Sequence, residues 1–343
     1  MHLSFSAFLA ELSRSPALVL VVGLTLAVLL VNGWTDAPNA IAGVVVSGAL
    51  SFRRAALLAA LCNLLGVLAV TAVDPAVTET IFSIARFQGG PTSSLAALCA
   101  AMLSIVLWAA LCCQLGLPTS ESHALTAALS GAAAALSGTL SCIRWLCWGR
   151  VLLGLVLSTA LGFWAGQGTE RLVRALRLSP AFCLRAQLPG AAAAALLHGA
   201  QDGQKFLGVF LLGLTLPAGI QNPDLTAIPV WLSGLCALCM ALGTASGGRR
   251  IIDMVGRELA APGPREALSA DVGSNLCLLG ATLLGLPVST THTRTSALLG
   301  AARGGGSPVD PAAAGKILGA WLLTFPCCMG LGFLSTKLFL HLL

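Results

Sequence analysis

Two aspartates, Asp36 and Asp202, lie inside long apolar runs of this chain, and each is followed within three residues by an amide, Asn39 or Gln204. A carboxylate placed in hydrocarbon costs roughly 3 kcal/mol on insertion scales, so it calls for a partner or a task. A carboxylate beside amide oxygens is a hard-oxygen cage of the sort Na⁺ accepts, and it can equally carry a proton. The alternative is a polar pair that only holds two helices together. A second pattern runs Gly116-Leu117-Pro118-Thr119-Ser120-Glu121-Ser122-His123 and returns as Gly285-Leu286-Pro287-Val288-Ser289-Thr290-Thr291-His292. Proline ends a helix on its N-terminal side, so the hydroxyls stand at the start of a new one. Free backbone N–H groups and the positive dipole end make such a start an anion site. Ser120, Ser122, Ser289, Thr290 and Thr291 add donors for a small tetrahedral oxyanion, the alternative being plain N-capping of a re-entrant turn. His123 and His292 can titrate near neutral pH and are read as structural hydrogen-bond donors at these turns. Lys205 is either the counter-ion of Asp202 or a base snorkelling to an interface. Arg294 either neutralises a bound anion or pairs with a carboxylate.

Both patterns are duplicated in the same order and at nearly the same separation: Asn32-Gly33-Trp34-Thr35-Asp36-Ala37-Pro38-Asn39 is echoed by His198-Gly199-Ala200-Gln201-Asp202-Gly203-Gln204-Lys205. The elements that carry them must be membrane helices. Of 343 residues, 57% are hydrophobic and 9% charged, against about 25% charged in a soluble domain. That balance excludes a soluble enzyme, a disordered chain and a nucleic-acid binder. The net charge of +6 is scattered over short loops, as the positive-inside rule produces. The twelve cysteines sit within apolar runs or as adjacent pairs, without metal-ligand spacing, and read as small buried hydrophobes. The apolar run from Pro16 to Val31 resembles a signal peptide, but no small-x-small cleavage site follows it, so it reads as part of a span.

A bilayer core of roughly 30 Å takes about 20 apolar residues per helix. Candidate spans fall near 17–50, 54–73, 93–115, 119–138, 146–166, 189–214, 226–243, 268–286, 288–302 and 312–340. The first is too long for one straight crossing and 288–302 is too short, so both are expected to be broken or re-entrant. Arg53 and Arg54, the four arginines of 167–188 and the four of 244–267 place those loops in the cytoplasm. Loop 74–92 carries only Arg86 beside Asp74 and Glu79, and loop 215–225 carries no basic residue. Ten crossings with both termini outside fit this pattern, though Arg144 and Arg150 run against it. The charge order is reversed between the halves, as an odd number of spans per half requires. The expectation is an all-α polytopic membrane protein of two inverted-topology repeats, about five spans each, with discontinuous helices and re-entrant hairpins. Residues 1–166 form the first repeat, 167–188 a basic cytoplasmic linker and 189–343 the second repeat. Inverted repeats are the mark of secondary transporters, whose sites lie where corresponding segments are interrupted.

The duplicated Asp-x-x-Asn-like motif and the duplicated Gly-Leu-Pro-x-Ser-x-[Ser/Thr]-His motif resemble the inorganic phosphate transporter (PiT) family over about residues 17–340, most closely its short prokaryotic members. The resemblance implies cation-coupled uptake of inorganic phosphate through paired hairpins in a prokaryotic-type inner (plasma) membrane. By motif matching, Asp36, Asn39, Asp202 and Gln204 would serve the cation and the substrate, and Ser120, Ser122, Ser289, Thr290 and Thr291 would hold phosphate oxygens. Thr35 and Gln201 stand where the family commonly has Asn, Pro38 intrudes before Asn39, and Glu121 replaces a hydroxyl residue. Glu121, beside the anion site, is the candidate carrier of a coupling proton. The expected partners are inorganic phosphate, Na⁺ or H⁺ and the bilayer, with no nucleic acid. No metal or organic cofactor is expected, and the oligomeric state is left open, a homo-oligomer included. A permease for another oxyanion such as sulfate is the alternative, although sulfate cannot donate a hydrogen bond to these acids near neutral pH. An intramembrane enzyme built on Ser, His and Asp is disfavoured by the inverted duplication. A channel reading is separated by whether uptake ever exceeds the substrate's gradient. The chain lacks the Gly-rich Lys-Ser/Thr loop of nucleotide-driven pumps.

Overall fold

The computed structural model describes residues 4–73, 75–216 and 228–342. Asp74 and nearly all of the loop 215–225 lie outside the described residues. The first half runs through α1 (Phe5–Arg14), α2 (Pro16–Thr35), α3 (Pro38–Val46), α4 (Phe52–Val73), α5 (Ala76–Phe82), α6 (Pro91–Gln114), α7 (Glu121–Ser137) and α8 (Trp145–Ala175). The second half runs through α9 (Pro180–His198), a π-helical turn Gly199–Gly203, α10 (Gln204–Thr215), α11 (Val230–Ser246) and α12 (Arg249–Asp253), which runs into a second π-helical turn Met254–Leu259. It ends with α13 (Pro264–Leu283), α14 (Thr290–Gly305) and α15 (Pro311–Leu342). Among the described residues there is no strand, only an isolated bridge between Ala85 and Ile143.

Local chemistry sets these ends. Ser15 and Ser179 cap α2 and α9, each followed by a proline in the first turn, where the missing N–H costs nothing. α7 and α14 stop at Gly138 and Gly306, with φ of 73° and 74°, a left-handed backbone that glycine adopts freely.

The polarity of the molecule is inside out. Leu57, Leu61 and Leu65 on α4, Leu152, Leu153 and Val156 on α8, and Leu318, Leu322 and Leu334 on α15 are exposed, while Asp36, Glu121, Asp202 and Lys205 are buried. An apolar exterior this extensive faces lipid rather than water. Among the described residues, five helical stretches are long and apolar enough to cross a membrane: Pro16–Val46, Phe52–Val73, Pro91–Gln114, Trp145–Ala175 and Pro311–Leu342. A sixth, Val230–Ser246 with Arg249–Leu259, is bent by 64° at its break. That is fewer than the ten crossings expected from hydropathy runs. The shortfall arises because α7 and α14 have only 17 and 16 residues, α9 and α10 are separated by the π-turn, and α13 carries Arg265, Glu266 and Asp271.

Three further expectations are corrected. Loops 74–92 and 244–267 contain buried short helices: α5 packs on α10, and α12 packs on α3 through Ile251 and Ile252. The presumed linker 167–188 is largely helical, because α8 continues to Ala175 and α9 begins at Pro180. α1, unforeseen in the sequence, buries Phe8 against Phe210 and Trp231.

The helix contacts form a paired set. α2 packs on α11 as α9 packs on α4, α8 packs on α14 as α15 packs on α7, and α8 packs on α13 as α15 packs on α6. Glycines set the closest approaches. A Cβ at Gly33 would collide with the Met240 carbonyl, and at Gly199 with the Asn63 carbonyl; at Gly66 it would meet Leu196, and at Gly243 Leu30. In the other seam, Gly131 faces the Met329 carbonyl as Gly300 faces Phe163, and Gly166 faces Ala297 as Gly332 faces Ala128. Small residues let helix backbones touch in lipid, where no hydrophobic force drives them together. These eight glycines are four repeat-related pairs, and so are the carbonyls they touch.

Candidate functional site

The site lies where four helix ends converge. α2 ends at Thr35, and Asp36 accepts the first backbone contact of the turn into α3. In the second half the chain does not unwind: the π-turn Gly199–Gly203 carries Asp202 between α9 and α10. A π-bulge widens the backbone spacing without ending the helix and recurs at functional sites. Opposite them stand the starts of α7 and α14. Ser120 Oγ accepts the His123 N–H at 3.4 Å and Ser289 Oγ the His292 N–H at 3.2 Å, so both serines are N-caps. Their hydroxyl protons stay available to an acceptor.

Asp36 accepts from neutral donors: Asn39 Nδ2 at 3.1 Å, Thr290 Oγ1 at 3.4 Å, and Thr291 Oγ1. Thr291 Oγ1 also lies 3.2 Å from the Thr119 carbonyl oxygen. Asp202 instead meets basic side chains. Lys205 Nζ stands 2.7 Å from Asp202 Oδ1, and His198 Nε2 is 3.3 Å from Asp202 Oδ2. Asn32 Nδ2 and Thr290 Oγ1 donate to the same Oδ2 at 3.2 and 3.3 Å. Thr290 thus bridges the two aspartates. Lys205 Nζ also donates to Ser122 Oγ at 2.7 Å and to the Val288 carbonyl at 2.6 Å. Glu121 takes a hydrogen bond from Thr35 Oγ1, and its other oxygen is buried without a hydrogen-bond partner among the described residues. Asp36, Asp202 and His198 offer ligand atoms within 4.8 Å of one another, close enough to surround one small cation.

The structure brings Asp36, Asn39, Asp202, Glu121, Ser122, Thr290 and Thr291 into one buried cluster, with Ser120 and Ser289 at its two helix starts. Gln204 is placed differently. It is buried on α10, with its carbonyl accepting from Thr78 Oγ1 at 3.0 Å. The residue that corresponds to Asn39 is the next one, Lys205. Lys205 is the counter-ion of Asp202 rather than a snorkelling base. Arg294 pairs with Asp271 at 3.4 Å and Asn275 at 3.0 Å, so it serves a carboxylate outside the cluster. The histidines depart from expectation. His123 and His292 pack ring to ring at 4.8 Å, against Phe325 and Trp321 respectively, and neither His292 nitrogen finds a hydrogen-bond partner among the described residues. The cysteines are free, with Cys62, Cys239, Cys277 and Cys327 half-buried and the rest buried.

Motif reading missed a supporting layer. Asn63 Oδ1 meets His198 Nδ1 at 3.1 Å while Asn63 Nδ2 donates to Thr244 Oγ1 at 2.8 Å. This fixes the imidazole that faces Asp202. An amide isolated in the apolar run of α4 was the available signal. Asn32, at the start of the first motif, reaches across to the second-half aspartate, which no spacing argument foresees.

The family model described as "Phosphate transporter family" matches residues 32–332 of this chain. The chain is 33% identical over 322 residues to a Bacillus subtilis protein named "Probable low-affinity inorganic phosphate transporter", covering 92% of this chain and 94% of that one. A Rhizobium meliloti protein of the same name is 32% identical over 320 residues, covering 91% and 93%. A solved structure titled "The sodium-dependent phosphate transporter" superposes with a TM-score of 0.83 over 96% of this chain and all of that one, at 19% identity, a likeness of fold.

Proposed function

The chain belongs to the phosphate transporter family and is a multi-pass membrane transporter rather than an enzyme; from that premise we propose that it takes up inorganic phosphate by symport with Na⁺ or H⁺ across the plasma membrane. The observation that carries this reading is the buried meeting of two helix starts with the carboxylates of the α2–α3 break and of the π-turn. Phosphate oxygens would be received by the free N–H groups opening α7 and α14 and by the hydroxyls of Ser120, Ser122, Ser289, Thr290 and Thr291. Asp36, with Asn39 and Thr291, would take the coupling cation, and Glu121 is placed to carry a proton.

Charge supplies the reason for coupling. Three carboxylates, Asp36, Asp202 and Glu121, line a buried site that offers one lysine and one histidine within reach. Bringing phosphate into such surroundings at low dielectric is strongly opposed by like charge. A cation or proton bound first removes that opposition, so cation and anion bind together or not at all. The paired contacts and paired glycines support two repeats related by a two-fold axis. The reversed loop charges support an inverted relation between them, with rocking of one half on the other as the route of alternating access.

Radiolabelled phosphate uptake into proteoliposomes, under an inward Na⁺ gradient and separately an inward H⁺ gradient, tests the reading. Uphill accumulation with one gradient, lost in Asp36→Asn, is the expected result. No accumulation with either, from folded protein, would overturn phosphate symport, and competition by sulfate in the same vesicles would identify the other oxyanion.

A further inference from the structure

We infer that the Lys205 ammonium is a resident cation: in the second half of the site it fills the oxygen cage that, in the first half, is built to take a mobile coupling cation. The inference deepens the proposed symport and rests on it for the role of that mobile cation. Three oxygens hold Lys205 Nζ: Asp202 Oδ1 at 2.7 Å, Ser122 Oγ at 2.7 Å and the Val288 carbonyl at 2.6 Å. In the repeat, Asp202 corresponds to Asp36, Ser122 to Thr291 and Val288 to Thr119. Those three counterparts are also gathered together. Thr291 Oγ1 contacts both Asp36 Oδ1 and the Thr119 carbonyl. The same carboxylate, hydroxyl and carbonyl set is therefore built twice. The counterpart of Lys205 is Asn39, whose Nδ2 lies 3.1 Å from Asp36 Oδ1. Asn39 is 6% exposed, and its Oδ1 has no hydrogen-bond partner among the described residues. One cage thus holds an ammonium, and the other holds a neutral side-chain amide in its place, its Nδ2 on Asp36 and its Oδ1 without a partner among the described residues.

A lysine kept only for stability fits this position poorly. Its ammonium sits among the starts of α7 and α14, where the helix dipoles are positive and disfavour a cation. It is fully buried at 0% exposure, in surroundings where lysine is costly. A small hard cation, by contrast, takes carboxylate, hydroxyl and carbonyl oxygens, and discontinuous helices in transporters present such carbonyls to coupling ions. Because Lys205 travels with α10, its charge is never released. Asp202 stays neutralised throughout the cycle, and each phosphate is accompanied by one mobile cation fewer than two open cages would take.

Exchange of the two residues tests this on the purified full-length chain without any transport step. Tm is followed as NaCl replaces choline chloride at constant ionic strength, since a ligand of the folded state raises Tm by mass action. In Lys205→Asn, the dependence of Tm on log [Na⁺] is expected to become about twice as steep as in the unaltered chain, and in Asn39→Lys it is expected to vanish. Equal slopes in Lys205→Asn and the unaltered chain, flat slopes included, overturn the inference. If Lys205→Asn does not fold, a Na⁺ response retained in folded Asn39→Lys overturns it instead. Failure of the phosphate reading would appear separately, as absent uptake by the unaltered chain with these Na⁺ slopes intact.

Discussion

The glycine seams and the central site are built on the same duplicated set of helices and treat it differently. In the seams, each glycine and the carbonyl it touches recur in the other half: Gly33 on Met240 with Gly199 on Asn63, and Gly131 on Met329 with Gly300 on Phe163. In the site, counterpart positions carry different chemistry. Asn39 corresponds to Lys205, Glu121 to Thr290, Asn32 to His198, and Asn63 to Met240. Backbone contact depends only on the absence of a side chain, so both copies keep it. Under the proposed symport, binding an anion together with a cation calls for an uneven charge distribution, which is where the copies diverge. Packing preserves the duplication, and chemistry breaks it.

The largest effects should come from the two aspartates, and their difference tests the asymmetry directly. Asp202→Asn strands the buried Lys205 ammonium, and losing one partner of a buried ion pair costs about 3–5 kcal/mol. Asp36→Asn removes an acceptor from neutral donors only, an expected cost nearer 1–2 kcal/mol. Both should abolish uphill phosphate uptake, while thermal unfolding separates them in the stated order. Equal losses of stability would mean that Lys205 is not held by Asp202. Next come the seams. Gly131→Ala and Gly300→Ala should each cost about 2–3 kcal/mol through overpacking and lower Tm by similar amounts. Gly234→Ala, whose added Cβ meets nothing within 4 Å, should be neutral or slightly stabilising. A large difference between Gly131 and Gly300 would break the symmetry claimed for the seams.

How much of this was legible in the sequence follows from the same contrast. The duplicated motifs marked Asp36, Asp202 and the two helix starts, because repetition is visible without coordinates. Within the second motif the sequence left two readings of Lys205 open, counter-ion of Asp202 or snorkelling base. An amide in the Asp-x-x-Asn image drew attention to Gln204, whereas position-by-position correspondence points to Lys205, and only the fold shows the ammonium among Asp202, Ser122 and Val288. Hydropathy alone does not distinguish a full span from the shorter helices α7 and α14, whose starts are buried. The short helices α5 and α12 were read as loops, since a few buried residues such as Ile81 and Ile251 give no periodic signal over so short a stretch. His123 and His292 were misassigned because their aromatic neighbours, Phe325 and Trp321, come from the distant α15.

Glu121 and its counterpart Thr290 give the third prediction. If Glu121 carries a proton into the site, uptake at limiting phosphate should rise as external pH falls, because the protonated acid no longer repels the anion. Glu121→Gln fixes the neutral form. Its uptake should depend less steeply on pH than that of the unaltered chain in the same vesicles. A mutant that keeps the full pH dependence would remove Glu121 from coupling and leave the carboxylate asymmetry to Asp36 and Asp202 alone.

The smallest effect should come from the layer behind the site, where Asn63 corresponds to Met240. Asn63 anchors His198 Nδ1 and so presents Nε2 to Asp202. Asn63→Met makes this position match its repeat counterpart at similar volume and deletes the anchor, at an expected cost of about 1 kcal/mol for the lost hydrogen bond. A free imidazole can rotate away from Asp202, so the site loses orientation without losing charge. The expected result is a several-fold rise in the KM for phosphate, with the maximal rate and the Na⁺ or H⁺ requirement unchanged, measured in the same vesicles. A fall in maximal rate at unchanged KM would instead place His198 in the conformational step. The asymmetry between the halves would then serve movement as well as binding.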